Sequence, residues 1–138
     1  IDVRLVGSEM CIRDRPFTRL EGISQKHTGK KPFNASDKLL NLINNKDYGS
    51  YFSKSIDSVP VNFLATLDIT NGNSGSATIN SKFELVGLAF DGMLETIIAD
   101  YKHIPEARTI SVDSRYLLWT LEKLEGAENI LRELTIVD

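Results

Sequence analysis

Hydrophobic and polar positions divide the chain after residue 15 into three stretches with different patterns. From Pro16 to about Val59 the chain is mostly polar and broken by proline and glycine, so we expect connecting structure there. One short helix is predicted within it. Leucine and isoleucine recur at helical spacing over residues 39–43, and Ser36 stands where a capping hydroxyl is needed.

From Pro60 to Val112 the pattern becomes that of strands. Apolar residues at positions 61, 63, 65 and 67 alternate with other residues, which predicts a half-buried strand. Turn-forming residues fill positions 71–76, and a short strand is expected at residues 77–79 before a turn at residues 80–82.

A longer apolar run from Phe83 to Phe90 predicts a strand covered on both faces, and Asp91-Gly92 after it is a tight-turn signal. Residues 109–112 form a further strand candidate. Asp113 can cap a helix that carries an apolar stripe and that Gly126 is expected to end. Several short strands followed by a terminal helix predict a mainly β fold with helices, a β-barrel closed by a C-terminal helix.

Composition narrows the function classes. The chain has 138 residues and a net charge of −3, which suits one domain or part of a larger one. No apolar run approaches the ~20 residues of a membrane-spanning helix, and a slightly acidic chain without a basic stripe does not favour nucleic-acid binding. One cysteine and two scattered histidines, His27 and His103, predict no disulfide, metal site or cofactor.

Residues 1–15 carry charges throughout and lack the apolar core of a secretory signal. They resemble a translated sequencing adapter, so we exclude them and treat residues 16–138 as the domain to be explained. A genuine N-terminal arm is the alternative. In either case we expect the chain to be the C-terminal part of a longer protein.

Candidate chemistry lies in residues 72–76, Gly-Asn-Ser-Gly-Ser. Glycine tolerates backbone angles that other residues avoid, so Ser74 can be held on a tight exposed turn whose amides converge, as an oxyanion hole requires. An ordinary hairpin loop is the alternative interpretation. The nucleophile elbow of α/β-hydrolases is disfavoured, because Ser76 stands where that motif has its second glycine.

Residues 70–76 (Thr-Asn-Gly-Asn-Ser-Gly-Ser) are followed by residues 84–92 (Glu-Leu-Val-Gly-Leu-Ala-Phe-Asp-Gly) and by residues 108–119, which begin Arg-Thr-Ile-Ser-Val-Asp. In this order the three segments resemble the serine dipeptidyl-peptidases of bacteria, the dipeptidyl-peptidase 7 and 11 group. Residues 17–22 and 46–49 resemble the same family, so the likeness covers essentially everything after residue 15.

The resemblance implies the C-terminal part of a chymotrypsin-like double β-barrel peptidase, with a large helical domain inserted in the full protein. Ser74 matches the nucleophile, and the backbone amides of Gly72 and Ser74 match the oxyanion hole. The catalytic histidine and aspartate are expected upstream, because neither histidine of this chain matches the family's base. This chain alone is therefore predicted to be inactive.

Two further residues match the family's substrate-binding positions. Asp91 matches the carboxylate that binds the α-ammonium of the substrate, which would select peptides with a free N-terminus; a turn-capping aspartate is the alternative. Gly92 matches the specificity position, where glycine accompanies cleavage after apolar residues and arginine accompanies cleavage after acidic ones. The chain departs from the family pattern at Asn71, Ala77, Met93 and Leu94.

The expected function is thus that of a serine dipeptidyl-peptidase that acts on oligopeptides and cleaves after apolar residues. An endopeptidase of the same fold and a catalytically inactive binding module are the alternatives. The resemblance also implies a periplasmic or cell-surface location, and it leaves open a homodimer of the full-length protein.

Overall fold

The computed structural model describes residues 16–93, 101, 104–105 and 107–137, and these form two compact units. The sheet unit contains residues up to 18 and residues 61–114, whereas the helical unit contains residues 19–60 and the residues from 115 onward. The interpretation of residues 1–15 lies outside the described residues, as do His103 and Leu94.

A five-stranded sheet is the main element of the fold, with strand order β1-β2-β5-β4-β3. The pairs β2–β5, β5–β4 and β4–β3 are antiparallel, and β1 lies beside β2, where the Leu64 amide donates to the Pro16 carbonyl at 3.0 Å. The strand bounds are β1, Phe17–Arg19; β2, Pro60–Ala65; β3, Ala77–Ile79; β4, Leu85–Gly92; and β5, Thr109–Asp113. A mainly β fold with helices is therefore confirmed.

The predicted strands at residues 77–79 and 109–112 are confirmed. The strand predicted over residues 61–67 is confirmed only as far as Ala65, where β2 ends, and the longer strand differs at both ends. It begins at Leu85 rather than Phe83, because the Asn80 side chain accepts the amides of Lys82 and Glu84 and closes a turn. Phe83 lies in that turn at φ +65° with 84% of its surface exposed.

The prediction of a tight turn at Asp91-Gly92 is wrong. Both residues belong to β4, where they pair with Ile110 and Thr109 of β5. A local Asp-Gly signal favours a turn only when no neighbouring strand takes up the backbone hydrogen bonds, and here β5 does so. The prediction that this strand is covered on both faces is also wrong, because Leu85 and Phe90 are exposed.

Small and hydroxyl-bearing residues make up the buried side of the sheet. The hydroxyls of Thr78 and Ser111 lie 3.1 Å apart, and both residues are buried. A Cβ at Gly87 would lie 2.5 Å from the Val112 carbonyl oxygen and 2.6 Å from the Phe63 ring. The Phe63 ring can therefore approach β4 this closely only because residue 87 has no side chain.

The helical unit contains α1 (Glu21–Lys26), α2 (Asp37–Asn44) and a 3₁₀ turn at Gly49–Tyr51. The predicted helix corresponds to α2, and its cap is confirmed because the Ser36 hydroxyl accepts the Leu39 amide at 3.3 Å. The prediction that this stretch is mere connecting structure is wrong. Its buried apolar side chains include Leu20, Ile43, Tyr51 and Val59.

The chain returns to the helical unit through α3 (Ser114–Trp119), which begins directly after β5 ends at Asp113. It continues as a π-helical stretch, Thr120–Glu125, and ends at Gly126 with φ +63°, as expected for a left-handed helix terminus. The last helix is α4 (Glu128–Leu131). Trp119 of α3 is fully buried, and its indole N–H donates to the Asp47 carbonyl at 2.8 Å.

Candidate active site

The loop between β2 and β3 contains two consecutive turns that share Asn73. The Asn73 amide donates to the Thr70 carbonyl at 3.2 Å and closes the first turn, while its carbonyl accepts the Ser76 amide at 2.9 Å and closes the second. The third residue of each turn is a glycine, Gly72 with φ +94° and Gly75 with φ +90°. Type II turns require positive φ at this position, so the sequence places glycine where the backbone needs it.

This arrangement explains how two amides can remain available to a ligand. A turn closed between its first and fourth residues does not use the N–H groups of its two central residues. Gly72 is central in the first turn and Ser74 in the second, and within the described residues neither amide donates a hydrogen bond. Two such donors on one loop are what the predicted oxyanion hole needs.

Ser74 lies exposed on this loop, next to β4. Its hydroxyl donates to the Phe90 carbonyl at 3.2 Å. Two backbone hydrogen bonds hold the following residues on the same strand: the Gly75 amide donates to the Ala89 carbonyl at 2.7 Å, and the Ala89 amide donates to the Ser76 carbonyl at 2.9 Å. The loop is therefore fixed to the part of β4 that leads into Asp91 and Gly92.

A β-bulge at Phe90 separates the two ends of β4. Ala89 pairs with Ser111 and Asp91 pairs with Ile110, so β4 has one more residue than β5 between these pairs. Residues directly opposite each other in an antiparallel pair share a face of the sheet. Bulges change which face later side chains occupy, and they are frequent next to active sites.

The bulge determines the position of Asp91. Continuous pairing would place Asp91 opposite Thr109, which is fully buried, whereas the bulge places Gly92 there and leaves Asp91 on the exposed face. One carboxylate oxygen of Asp91 accepts the Gly92 amide at 2.9 Å. Within the described residues the other oxygen has no hydrogen bond, so it can accept one from a ligand.

The structure thus brings the Ser74 loop to the strand that carries Asp91 and Gly92, whereas His27 belongs to the helical unit. The ring nitrogen Nδ1 of His27 accepts the Ala35 amide at 3.0 Å within the helical unit, which is a local structural role. The described residues contain no group of three potential metal ligands, and none of their helices is long and apolar enough to cross a membrane.

Two contributors to the site are not evident from the sequence pattern. The Phe90 carbonyl is a backbone group, and its role depends on a strand pairing that no local pattern specifies. The Asn73 side chain accepts the Thr70 amide at 2.7 Å. The general preference of asparagine for turns that bond back to the backbone is the one signal that could have pointed to it.

An exposed serine on a glycine-containing double turn, with unused amides beside it, provides two of the groups that a serine hydrolase site requires, the third being a general base. The sequence profile of the peptidase S46 family matches residues 6–136, and the chain belongs to this family.

Relatives with two different names are similar to this chain. It is 42% identical to an Asp/Glu-specific dipeptidyl-peptidase of Shewanella putrefaciens, over 94% of this chain and 21% of the relative. It is 41% identical to a dipeptidyl-peptidase 7 of Phocaeicola vulgatus, over 88% of this chain and 17% of the relative. The chain therefore spans about a fifth of the length of these relatives, and overall identity does not assign it to one of the two named groups.

Solved structures support the fold. DPP11 of Porphyromonas endodontalis in complex with the dipeptide Arg-Asp superposes with a TM-score of 0.80 at 37% identity, over 86% of this chain and 17% of that one. At this level of identity and superposition, the sheet and helices described above correspond to a segment of that enzyme.

Proposed function

We propose that the full-length protein containing this segment is a serine-type dipeptidyl-peptidase with Ser74 as its nucleophile. The observation that carries the proposal is the Ser74 loop itself, with an exposed hydroxyl and two unused amides on a backbone fixed to β4. The names of the relatives, which are dipeptidyl-peptidases, support the same reaction class.

In this mechanism the Ser74 oxygen attacks the carbonyl carbon of the second peptide bond of an oligopeptide. A histidine base from the upstream part of the protein, oriented by an aspartate, takes the hydroxyl proton and then gives it to the leaving amine. The amides of Gly72 and Ser74 stabilise the negative charge that develops on the carbonyl oxygen. Water then releases the dipeptide from the acyl-enzyme.

Asp91 sets the length of the released product at two residues by binding the N-terminus of the substrate. A carboxylate on the exposed face of β4 can pair with the α-ammonium of a peptide while the second peptide bond lies at Ser74. Such a charge-assisted hydrogen bond contributes about 1.5–3 kcal/mol, and only a free N-terminus can form it. Acetylated peptides would lack it, which separates a dipeptidyl-peptidase from an endopeptidase.

Gly92 makes the protein selective for apolar residues before the cleaved bond. A position without a side chain leaves room for an apolar group, whose burial contributes about 25 cal/mol per Å². An acidic residue would lose hydration with no cation to meet it. Met93 follows Gly92 directly and is buried, so it too can shape this preference.

The remaining parts of the proposal rest on the family resemblance. The segment would belong to a chymotrypsin-like double β-barrel, of which the five-stranded sheet is one part. The protein would act on oligopeptides in the periplasm or at the cell surface, and it would do so as a monomer or a homodimer.

The test uses the full-length protein and its Ser74→Ala variant. We expect dipeptide release from free oligopeptides to fall by roughly 10⁶-fold in kcat in the variant, with an unchanged thermal unfolding temperature. The 138-residue chain alone is expected to show no release above background, because its serine lacks a general base. Turnover that survives Ser74→Ala would overturn the assignment.

A further inference from the structure

We infer that Asn73 is a positioning residue of the oxyanion hole. Its side-chain oxygen holds the loop that carries the two amides in the working conformation. The inference rests on the proposed function and adds to it a residue that does not itself touch the substrate. It starts from the double turn, in which Asn73 is the residue common to both halves.

The side chain of Asn73 ties the two turns together. Its Oδ1 accepts the Thr70 amide at 2.7 Å and lies 3.3 Å from the Thr70 hydroxyl, which also donates to it. Thr70 is thereby bonded to Asn73 through both its amide and its carbonyl. Between residues 70 and 77, Asn73 is the one residue that is partly shielded from solvent.

The two glycines of this loop have open space beside them. Among the described residues, nothing lies within 4 Å of the Cβ positions of Gly72 and Gly75. The contacts described for this loop that can fix the direction of the Gly72 and Ser74 amides are therefore hydrogen bonds. On the Thr70 side these bonds are the ones that converge on Asn73, because the bonds to Ala89 hold only the residues after Ser74.

A misplaced donor lowers the rate more than it lowers binding, because the oxyanion exists in the transition state and not in the bound substrate. Loss of the Asn73 acceptor should therefore reduce kcat and leave KM nearly unchanged. The side-chain oxygen of Asn73 matters here rather than its side-chain nitrogen, because the bonds described for this side chain are all accepted by Oδ1.

The experiment compares four full-length proteins on a chromogenic dipeptide substrate: the wild type, Asn73→Leu, Asn73→Asp and Asn71→Ala. Leucine resembles asparagine in size but accepts no hydrogen bond, whereas aspartate keeps the acceptor. We expect kcat to fall roughly 10- to 100-fold in Asn73→Leu with KM within about twofold. Asn73→Asp should be at least about fivefold faster than Asn73→Leu. Asn71→Ala, at an exposed residue of the same turn, should stay within about twofold of the wild type.

The outcomes separate this inference from the proposed function. If Ser74→Ala abolishes dipeptide release but Asn73→Leu is as active as the wild type, the role of Asn73 alone is overturned. An Asn73→Asp variant no faster than Asn73→Leu also overturns it, because the acceptor would then be irrelevant. A wild-type protein without Ser74-dependent dipeptide release overturns the proposed function itself.

Discussion

The two units of the chain differ in what they bury. In the helical unit most of the buried residues are large and apolar, with Leu20, Val59 and Trp119 completely inaccessible, although Ser58 is buried as well. In the sheet unit the buried residues are mostly small or polar, among them Thr78, Ala89, Thr109, Ser111 and Asp113. Burial of apolar area thus contributes more to the helical unit, whereas specific hydrogen bonds and close backbone approach determine the form of the sheet unit.

The polar groups of the helical unit support its packing. The hydroxyls of Tyr48 and Ser58 donate to the Glu21 carboxylate. Burial raises the pKa of Glu21, but these hydrogen bonds outweigh it and lower the pKa below its ordinary value. Burial and the hydrogen bond to Glu21 raise the pKa of Tyr48 to about 12. The helical unit contains the largest fully buried side chain, whereas the sheet unit contains the candidate site. We therefore expect mutations in the first to affect mainly stability and mutations in the second to affect mainly activity.

The largest expected effect is on stability, at Trp119. Trp119→Ala in the full-length protein removes a fully buried ring that stacks on Tyr116, with ring centroids 6.0 Å apart, and should destabilise the folded state by about 3–5 kcal/mol. Trp119→Phe keeps an aromatic ring and loses the hydrogen bond to the Asp47 carbonyl, so its cost should be clearly smaller. Thermal unfolding measures both. Equal losses would show that the hydrogen bond, and not burial, dominates.

The next effect is on activity, at Asp91. Asp91→Ala should lower kcat/KM for free oligopeptides roughly 10- to 150-fold, or about 1.5–3 kcal/mol, because the substrate ammonium loses its partner. The unfolding temperature should not change, because Asp91 is exposed. Steady-state kinetics on free and acetylated peptides measure the effect.

Asp91→Asn is the matched control for this residue. An asparagine oxygen can still accept the Gly92 amide but carries no charge. We therefore expect Asn to be nearly as poor as Ala. Full activity of Asp91→Asn would favour a purely local role, acceptance of the Gly92 amide, over the role in binding the substrate N-terminus.

A structural feature of this chain could be predicted from the sequence when the residues that cause it are close together in the chain. The Ser36 cap of α2 and the glycine turns around Ser74 are set by residues within a few positions of each other, and both were predictable. The Phe90 bulge was not, because it exists only relative to β5, about twenty residues further on. The core of the helical unit was missed for the same reason, since Leu20, Ile43 and Trp119 lie far apart in the chain.

Smaller effects on stability are expected when a glycine of each unit is replaced by alanine. Gly87→Ala would place a Cβ 2.5 Å from the Val112 carbonyl oxygen in the sheet unit, so we expect a loss of roughly 1–3 kcal/mol. Gly22→Ala in α1 has nothing within 4 Å of its Cβ among the described residues. It should be neutral or stabilise the protein by up to about 1 kcal/mol. Thermal unfolding of the two variants measures both effects. A Gly87→Ala variant as stable as the wild type would contradict the close approach of Phe63 to β4 in the sheet unit.

The smallest expected effect concerns substrate choice, at Gly92. The wild-type protein should prefer an apolar to an acidic residue before the cleaved bond by at least roughly tenfold in kcat/KM, or about 1.4 kcal/mol. Gly92→Arg should fill the space and supply a guanidinium that pairs with a carboxylate, which lowers activity on apolar substrates and raises it on acidic ones. The measurement is kcat/KM on two dipeptide substrates that differ only in Leu or Asp at that position.

The two outcomes that would contradict this prediction point to different residues. A wild-type preference for Asp would mean that another cation meets the acidic side chain. An unchanged ratio in Gly92→Arg would mean that the new guanidinium does not reach the substrate, with buried Met93 as the next residue to vary.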